Sequence, residues 1–227
     1  PIPEQEPKRQ EDCYSGEWTD WQMAAIPIKS LGRELVDNMA DMAHFGPIHY
    51  SKVQSFKNTM EGHKFVQYMV GGHQILTEGD GGLITSVATY EGPAYMTTTM
   101  TGLMDGHPMT THLLVSHIPV DMHNFVINFG VMMKKDPNVS EAGNKAMVEE
   151  YTEKNIESFH QDVAIWNNKC IIDNPLMCDG DGPVHLVRKW YSQFMTNIAD
   201  IREDQVRARE HVTLEGPSVE EVIASMG

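Results

Sequence analysis

Apolar residues change their spacing twice along this chain, and the changes divide it into a helical start, a stranded middle and a helical end. Over 31–43, Leu35, Val36, Met39 and Met42 recur at helical spacing and predict a short amphipathic helix. The segments 64–69, 83–90, 95–101, 112–117 and 124–133 are rich in aromatic and β-branched residues. They read as strands separated by the turn signals Gly71-Gly72, Gly79-Asp80-Gly81-Gly82 and Asp105-Gly106-His107-Pro108. Such short connections imply an antiparallel meander. Helical spacing returns over 142–169 and again over 183–198, and a short acidic helix is expected near 219–225. Strands in a run followed by a long helix predict an α+β fold, a curved antiparallel sheet wrapped on a helix.

Composition narrows the picture. With 227 residues and 41% hydrophobic content the chain supports one domain with a sizeable core. A net charge of -15 with few basic clusters disfavours a phosphate-backbone partner, so no nucleic acid is expected. No run reaches bilayer length and Pro1-Ile2-Pro3-Glu4 does not open a signal peptide, so no membrane partner is expected and a cytoplasmic location is. Cys13, Cys170 and Cys178 lack paired spacing and fit a reducing compartment. The 16 methionines serve as core filler and also suit a roomy apolar cavity. Residues 1–22 read as an extended arm ending in Trp18 and Trp21, 23–205 as the main domain and 206–227 as a C-terminal tail. The absence of an initiator Met suggests that the chain begins inside something longer.

The candidate chemistry lies in Asn38-x-x-Asp41-x-x-His44-x-x-x-x-His49 together with the distant Asp162. On a helix of about 100° per residue, Glu34, Asp37, Asp41 and His44 share one face, which by itself reads most simply as a solvated polar surface. Gly46-Pro47 should end that helix just after His44 and let the chain bring His49 back to the same point. In the long helix, Val148, Tyr151, Phe159, Ile165 and Trp166 fall within about 60° of Asp162, while the other acids cover the opposite side. A buried, unpaired carboxylate costs roughly several kcal/mol or becomes neutral, so Asp162 needs a cation or strong donors. Two answers fit: a buried Arg33 or Arg188, or an iron shared with His44 and His49. Two imidazoles and one carboxylate leave coordination positions open, the arrangement of non-haem Fe(II) oxygenases. Asp41, one turn before His44, is placed to hydrogen-bond a histidine of a neighbouring redox group and pass electrons or protons, or is an ordinary surface acid. Asp179-Gly180-Asp181-Gly182 lacks most of a calcium loop and reads as a turn. The remaining histidines show no ligand spacing and are given no metal role.

The runs Glu34 to Phe45, Phe56-Lys57-Asn58, Glu61-Gly62-His63, Gln161 to Trp166, Ile172 to Leu176 and Asp181 to Val184 resemble the oxygenase component of 3-ketosteroid 9α-hydroxylase, a Rieske-type non-haem iron oxygenase. The resemblance covers 18–201 and implies a helix-grip (START-like) catalytic domain with a hydrophobic tunnel above the iron. It implies that His44, His49 and Asp162 bind a mononuclear Fe(II), with Asn38 supporting them. Asp41 would bridge to the Rieske cluster of a neighbouring subunit in a homotrimer. Substrate-pocket positions carried over are Gln67, Tyr90, Met96, Phe159 and Trp166, with Thr98 and Ser116. Apolar walls with few polar anchors suit a steroid. The implied partners are O2, a steroid-like small molecule and a ferredoxin-type reductase that draws on NADH. Between the two histidines, Phe45-Gly46-Pro47-Ile48 departs from the aromatics usual in this branch. The C-x-H and C-x-x-H pairs that hold a [2Fe-2S] Rieske cluster do not occur here, so the cluster and its N-terminal domain are expected outside this chain. The alternatives are a non-catalytic steroid- or lipid-binding helix-grip module, and an oxygenase for another polycyclic or aromatic substrate.

Overall fold

The computed structural model describes residues 7–77, 82–104 and 107–226. Its strands are β1 (Gln22–Ile28), β2 (Val53–Glu61), β3 (Lys64–Gly71), β4 (Ile84–Glu91), β5 (Tyr95–Met104), β6 (His107–Pro119), β7 (Phe125–Met133) and β8 (Arg209–Leu214). They form one antiparallel eight-stranded sheet in the order β1-β7-β6-β5-β4-β3-β2-β8. The helices are α1 (Gly32–Asn38), α2 (Phe45–His49), α3 (Glu141–Trp166), α4 (Val184–Tyr191), α5 (Glu203–Val206) and α6 (Val219–Met226). This is the α+β, helix-grip arrangement expected, with a curved sheet against a long helix. Among the described residues no helix is long and apolar enough to cross a membrane.

Because side chains alternate across a strand, register stacks the inward residues in rows. One row runs Phe65, Tyr90, Met96, Val115, Phe129, and the next Gln67, Ala88, Thr98, Leu113, Val131. These rows face α3, whose buried residues Val148, Tyr151, Asn155, Ser158, Asp162 and Trp166 recur every three or four positions. Ser140 caps α3 by accepting the Gly143 N–H at 3.1 Å. Ile165, expected on the buried stripe, is 39% exposed at its border.

Several boundaries differ from the expected ones, each for a local reason. The first helix stops at Asn38 because the Met39 carbonyl is taken by side-chain amides, Asn58 Nδ2 at 3.1 Å and Gln67 Nε2 at 2.9 Å, instead of an N–H four residues on. Gly46-Pro47 do not end a helix; they lie in the first turn of α2, where proline's missing N–H has no intrahelical partner to lose. The left-handed Tyr50 (φ 49°) then closes α2, and the next N–H, that of Ser51, donates to the Phe45 carbonyl at 3.0 Å. The helix expected over 183–198 is α4 followed by a 3-10 turn, Ser192–Met195. The Asp179-Gly180-Asp181-Gly182 turn is a 3-10 turn ending at Gly182 (φ 75°), whose Cα lies so close to the Ala40 carbonyl that no side chain fits.

Strands β1, β2 and β8 have no counterpart among the expected elements. Residues 206–227, read as a tail, supply β8, which pairs with β2, and α6, which packs on Val70. The arm docks by its end, with Trp18 stacked on His112 at 4.1 Å and bridged to Lys134. The turns expected at 79–81 and 105–106 lie outside the described residues.

His117 continues the inward face of β6 one place beyond Val115, edge-on to Tyr90 and Phe125 and pressed against Gly32. Burial lowers its pKa to about 4. The folded chain therefore refuses a proton that the unfolded chain takes up below about 6.5, and stability falls as pH drops from there toward 4. The slope from this one group reaches about 1.4 kcal/mol per pH unit. In His117→Leu that contribution is expected to vanish. Urea midpoints measured from pH 7 to 4.5 should fall less steeply than in the wild type; parallel curves would refute it.

Candidate metal centre

α2 and α3 bring three side chains together. Each of His44, His49 and Asp162 offers one ligand atom, and these atoms lie within 4.8 Å of one another, the one such group that could hold a metal among the described residues. His44 is the residue before α2 and His49 its last, so the single turn of α2 sets the two rings 5.3 Å apart and nearly perpendicular at 78°. Asp162 reaches them from α3, with Oδ2 3.3 Å from His49 Nε2.

Hydrogen bonds decide which nitrogen each ring presents. His44 Nδ1–H donates to the Asp41 carbonyl oxygen at 2.5 Å, and His49 Nδ1–H donates to Gln161 Oε1 at 2.9 Å. Both rings thus keep Nε2 for a metal, the orientation that metal-ligating histidines adopt when the other N–H is held by a carbonyl. Burial pushes the His44 pKa down, more than the Asp162 and Asp41 charges pull it up. Burial acts against protonation of His49 as well, but there Asp162, by hydrogen bond and charge, and Gln161 prevail and raise the pKa. The donor set of two imidazoles and a carboxylate fits Fe(II) with positions left open.

The arginines considered as partners for Asp162 are engaged elsewhere. Arg188 Nη2 and Nε donate to Asp37 Oδ2 at 2.7 and 2.9 Å, and its Nη1 donates to the Ile172 and Asp173 carbonyls. Lys169 Nζ lies 2.6 Å from Glu34 Oε2, and Arg33 Nη2 lies 3.6 Å from Glu34 Oε1. Glu34 and Asp37 are accordingly not a solvated face: they are buried, at 2% and 6% exposure. Burial holds the Asp37 carboxyl above its ordinary pKa against the pull of Arg188.

Two cavities meet at the cluster, and His44, Asp162, Asn38 and Trp166 line both. The apolar one, of about 150 Å³, is walled by Met39, Met69, Met96 and Met100 among others. Gln67, Thr98, Phe159 and Trp166 also line it. Tyr90 lies on the same inward face but outside its lining, fully buried and with its hydroxyl unpaired. Ser116 is on the opposite face of β6, across from Tyr95 and Asn128; its neighbour Val115 takes the wall position because strand side chains alternate. The second cavity, of about 270 Å³, is polar and contains Asp41, Asp181, Lys169 and Arg188. Asp41 is half-exposed there and accepts the His44 backbone N–H through Oδ1 at 3.2 Å.

Two contributors escaped sequence reasoning. Gln161 was detectable as the residue beside Asp162, one helical step toward α2. His73 was not: it follows two glycines with no ligand spacing, yet is buried, stacked on His49 at 5.0 Å, and lowered by burial to a pKa of about 4.

Residues 1–195 match the family model described as the 3-ketosteroid 9alpha-hydroxylase C-terminal domain. A 3-ketosteroid-9-alpha-monooxygenase oxygenase component from Rhodococcus rhodochrous is 42% identical over 201 residues, covering 86% of this chain and 52% of that protein. A Mycobacterium tuberculosis protein of the same name is 36% identical over 205 residues, covering 88% of this chain and 53% of its own length. The chain thus spans about half the length of these curated relatives. In fold it is similar to NdmA of Pseudomonas putida CBB5, solved with caffeine, with a TM-score of 0.58 at 12% identity over 90% of this chain and 61% of that one. The family match over most of its length and the long alignments with these relatives agree: the chain belongs to the 3-ketosteroid 9alpha-hydroxylase C-terminal domain family.

Proposed function

We propose that this chain is the catalytic domain of a Rieske-type monooxygenase that hydroxylates a 3-ketosteroid-like substrate, with His44, His49 and Asp162 holding one Fe(II). The observation that carries the reading is the position of the three-residue cluster between an apolar and a polar cavity, with His44 and Asp162 on the wall of each. When bound, an iron with open coordination positions supplies the chemistry of O2 activation.

The remaining roles fall to the chain's own side chains. Gln161 and the Asp41 carbonyl hold the two rings in the tautomer that presents Nε2. The methionine, Phe159 and Trp166 walls exclude water and orient an apolar skeleton, while Thr98 and the Gln67 amide, tied to the Met39 carbonyl, are its few polar points. At about 150 Å³ the apolar cavity is smaller than the roughly 300 Å³ at which small-molecule sites begin. Its four methionines are unbranched and adaptable, and we assign to them the widening that a four-ring ligand requires. Asp41, half-exposed in the polar cavity and bonded to the His44 backbone, faces the side from which electrons would arrive. The donor we propose is a [2Fe-2S] Rieske cluster outside this chain, brought by a neighbouring subunit of a trimer and fed by an NADH-dependent, ferredoxin-type reductase.

Tryptophan-fluorescence titration tests the substrate class, since Trp166 lines the cavity. A 3-ketosteroid is expected to bind more tightly than an aromatic acid of similar hydrophobicity, and Met96→Trp to weaken the steroid by about tenfold or more. Tighter binding of the aromatic acid would transfer the reading to another oxygenase substrate. Steroid binding by a chain that takes up no iron would favour a binding module.

A further inference from the structure

We propose that His73 is a positioning residue for His49, a flat face in one fixed tautomer that seats the His49 ring and refers it to the helix carrying Asp162. The inference rests on the reading of His44, His49 and Asp162 as metal ligands. His73 stacks on His49 with ring centroids 5.0 Å apart and planes 26° from parallel. Its Nδ1 accepts the backbone N–H groups of Ile75 and Leu76, at 3.2 and 3.3 Å. The proton must then sit on Nε2, which donates to Ser158 Oγ at 3.0 Å. Ser158 stands one turn before Asp162 on α3, so a ring on the β3–β4 connection is anchored to the same helix that supplies the carboxylate.

The turn from His73 to Thr77 is closed tightly. Thr77 Oγ1 accepts the His73 N–H at 2.9 Å and donates to the His73 carbonyl at 2.7 Å, and the Gln74 N–H donates to the His49 carbonyl at 3.2 Å. Phenylalanine would offer the face without the three hydrogen bonds, and asparagine hydrogen bonds without the face. With both nitrogens engaged, His73 is not a fourth metal ligand. A carbonyl on Nδ1 fixes which way His49 points; the stacked His73 fixes the plane of its ring.

The test is anaerobic Co(II) titration of the 227-residue chain, reading both affinity and the visible ligand-field spectrum of Co(II). His73→Ala is expected to weaken binding about tenfold or more, with a shifted spectrum, as losses around a metal's ligands generally do. Ser158→Ala, which leaves the ring but frees it, should shift the spectrum in the same direction with a smaller loss. A general loss of stability would not move the spectrum of the bound ion. Wild-type affinity and spectrum in both variants would overturn the proposal, and Ser158→Ala decides alone if His73→Ala does not fold. Co(II) bound by the wild type, lost in Asp162→Ala and unaltered in the His73 and Ser158 variants would leave the metal site standing and remove the positioning role. A wild-type chain that binds no Co(II) would remove both.

Discussion

Asp162→Ala is expected to leave the chain folded and unable to retain iron. The carboxylate is the one anionic member of the three-residue cluster, and it lies on the buried face of α3, 3.3 Å from His49 Nε2. Without it a divalent ion would sit in a largely dry site against two neutral rings, with no charge to offset its desolvation. Losses of groups that merely support metal ligands cost about 10–100-fold in affinity, so removal of a ligand should exceed that range. Iron per chain after anaerobic loading, and Co(II) titration of wild type and variant, would measure it. Unchanged occupancy would sink the ligand role. Asp162→Asn, of the same shape but uncharged, separates charge from space and should fail almost as badly.

Arg188→Met should produce the largest loss of stability. Its guanidinium joins three parts of the chain: Asp37 in α1, the carbonyls of Ile172 and Asp173, and α4, on which it sits. Removing it leaves Asp37 buried without its main partner, beside a Glu34 held by Lys169 and Arg33. Breaking a buried pair from one side typically costs about 3–5 kcal/mol; with the Arg188 side chain 15% exposed, the lower end, about 3 kcal/mol, is expected here. For a domain of this size that lowers Tm by about 6–12 °C. Adding Asp37→Asn should recover part of the loss, because the stranded charge and not the missing contact is most of the penalty. A Tm within about 2 °C of wild type for Arg188→Met would show that solvent reaches Asp37 freely.

Where the sequence succeeded, a single element contained the whole signal. β3, β4, β6 and β7 alternate buried with less buried positions along part of their lengths, and α3 repeats its buried positions every three or four residues from Asn144 to Trp166. Asp162 was legible for the same reason, a charge out of place on a long regular stripe. Edge and near-edge strands were not. β1 carries Pro27, tolerated because an edge strand can spare the N–H; β2 buries Asn58 where alternation calls for an apolar residue; β8 is mostly polar. The burial of Glu34 and Asp37 depends on Arg188 and Lys169, more than 130 positions away, and no local window contains that information. Ser116 was misplaced by one residue, which in a strand is the difference between inside and outside. His73 had no periodic context at all.

α3 carries Asp162, the Gln161 that steadies His49, the Ser158 that holds His73, and the cavity residues Phe159 and Trp166. Five of the nine positions from Ser158 to Trp166 on one rigid rod therefore share a single orientation: one residue inserted just ahead of Ser158 would turn all of them by about 100° together. The opposite wall is different in kind. Gln67, Met96, Thr98 and Val115 come from β3, β5 and β6, where an exchange on one strand leaves the register of its neighbours intact. The helix is thus inherited whole, whereas the sheet can be edited residue by residue. New ligand preferences in this fold should be sought, by selection or by design, on the strands.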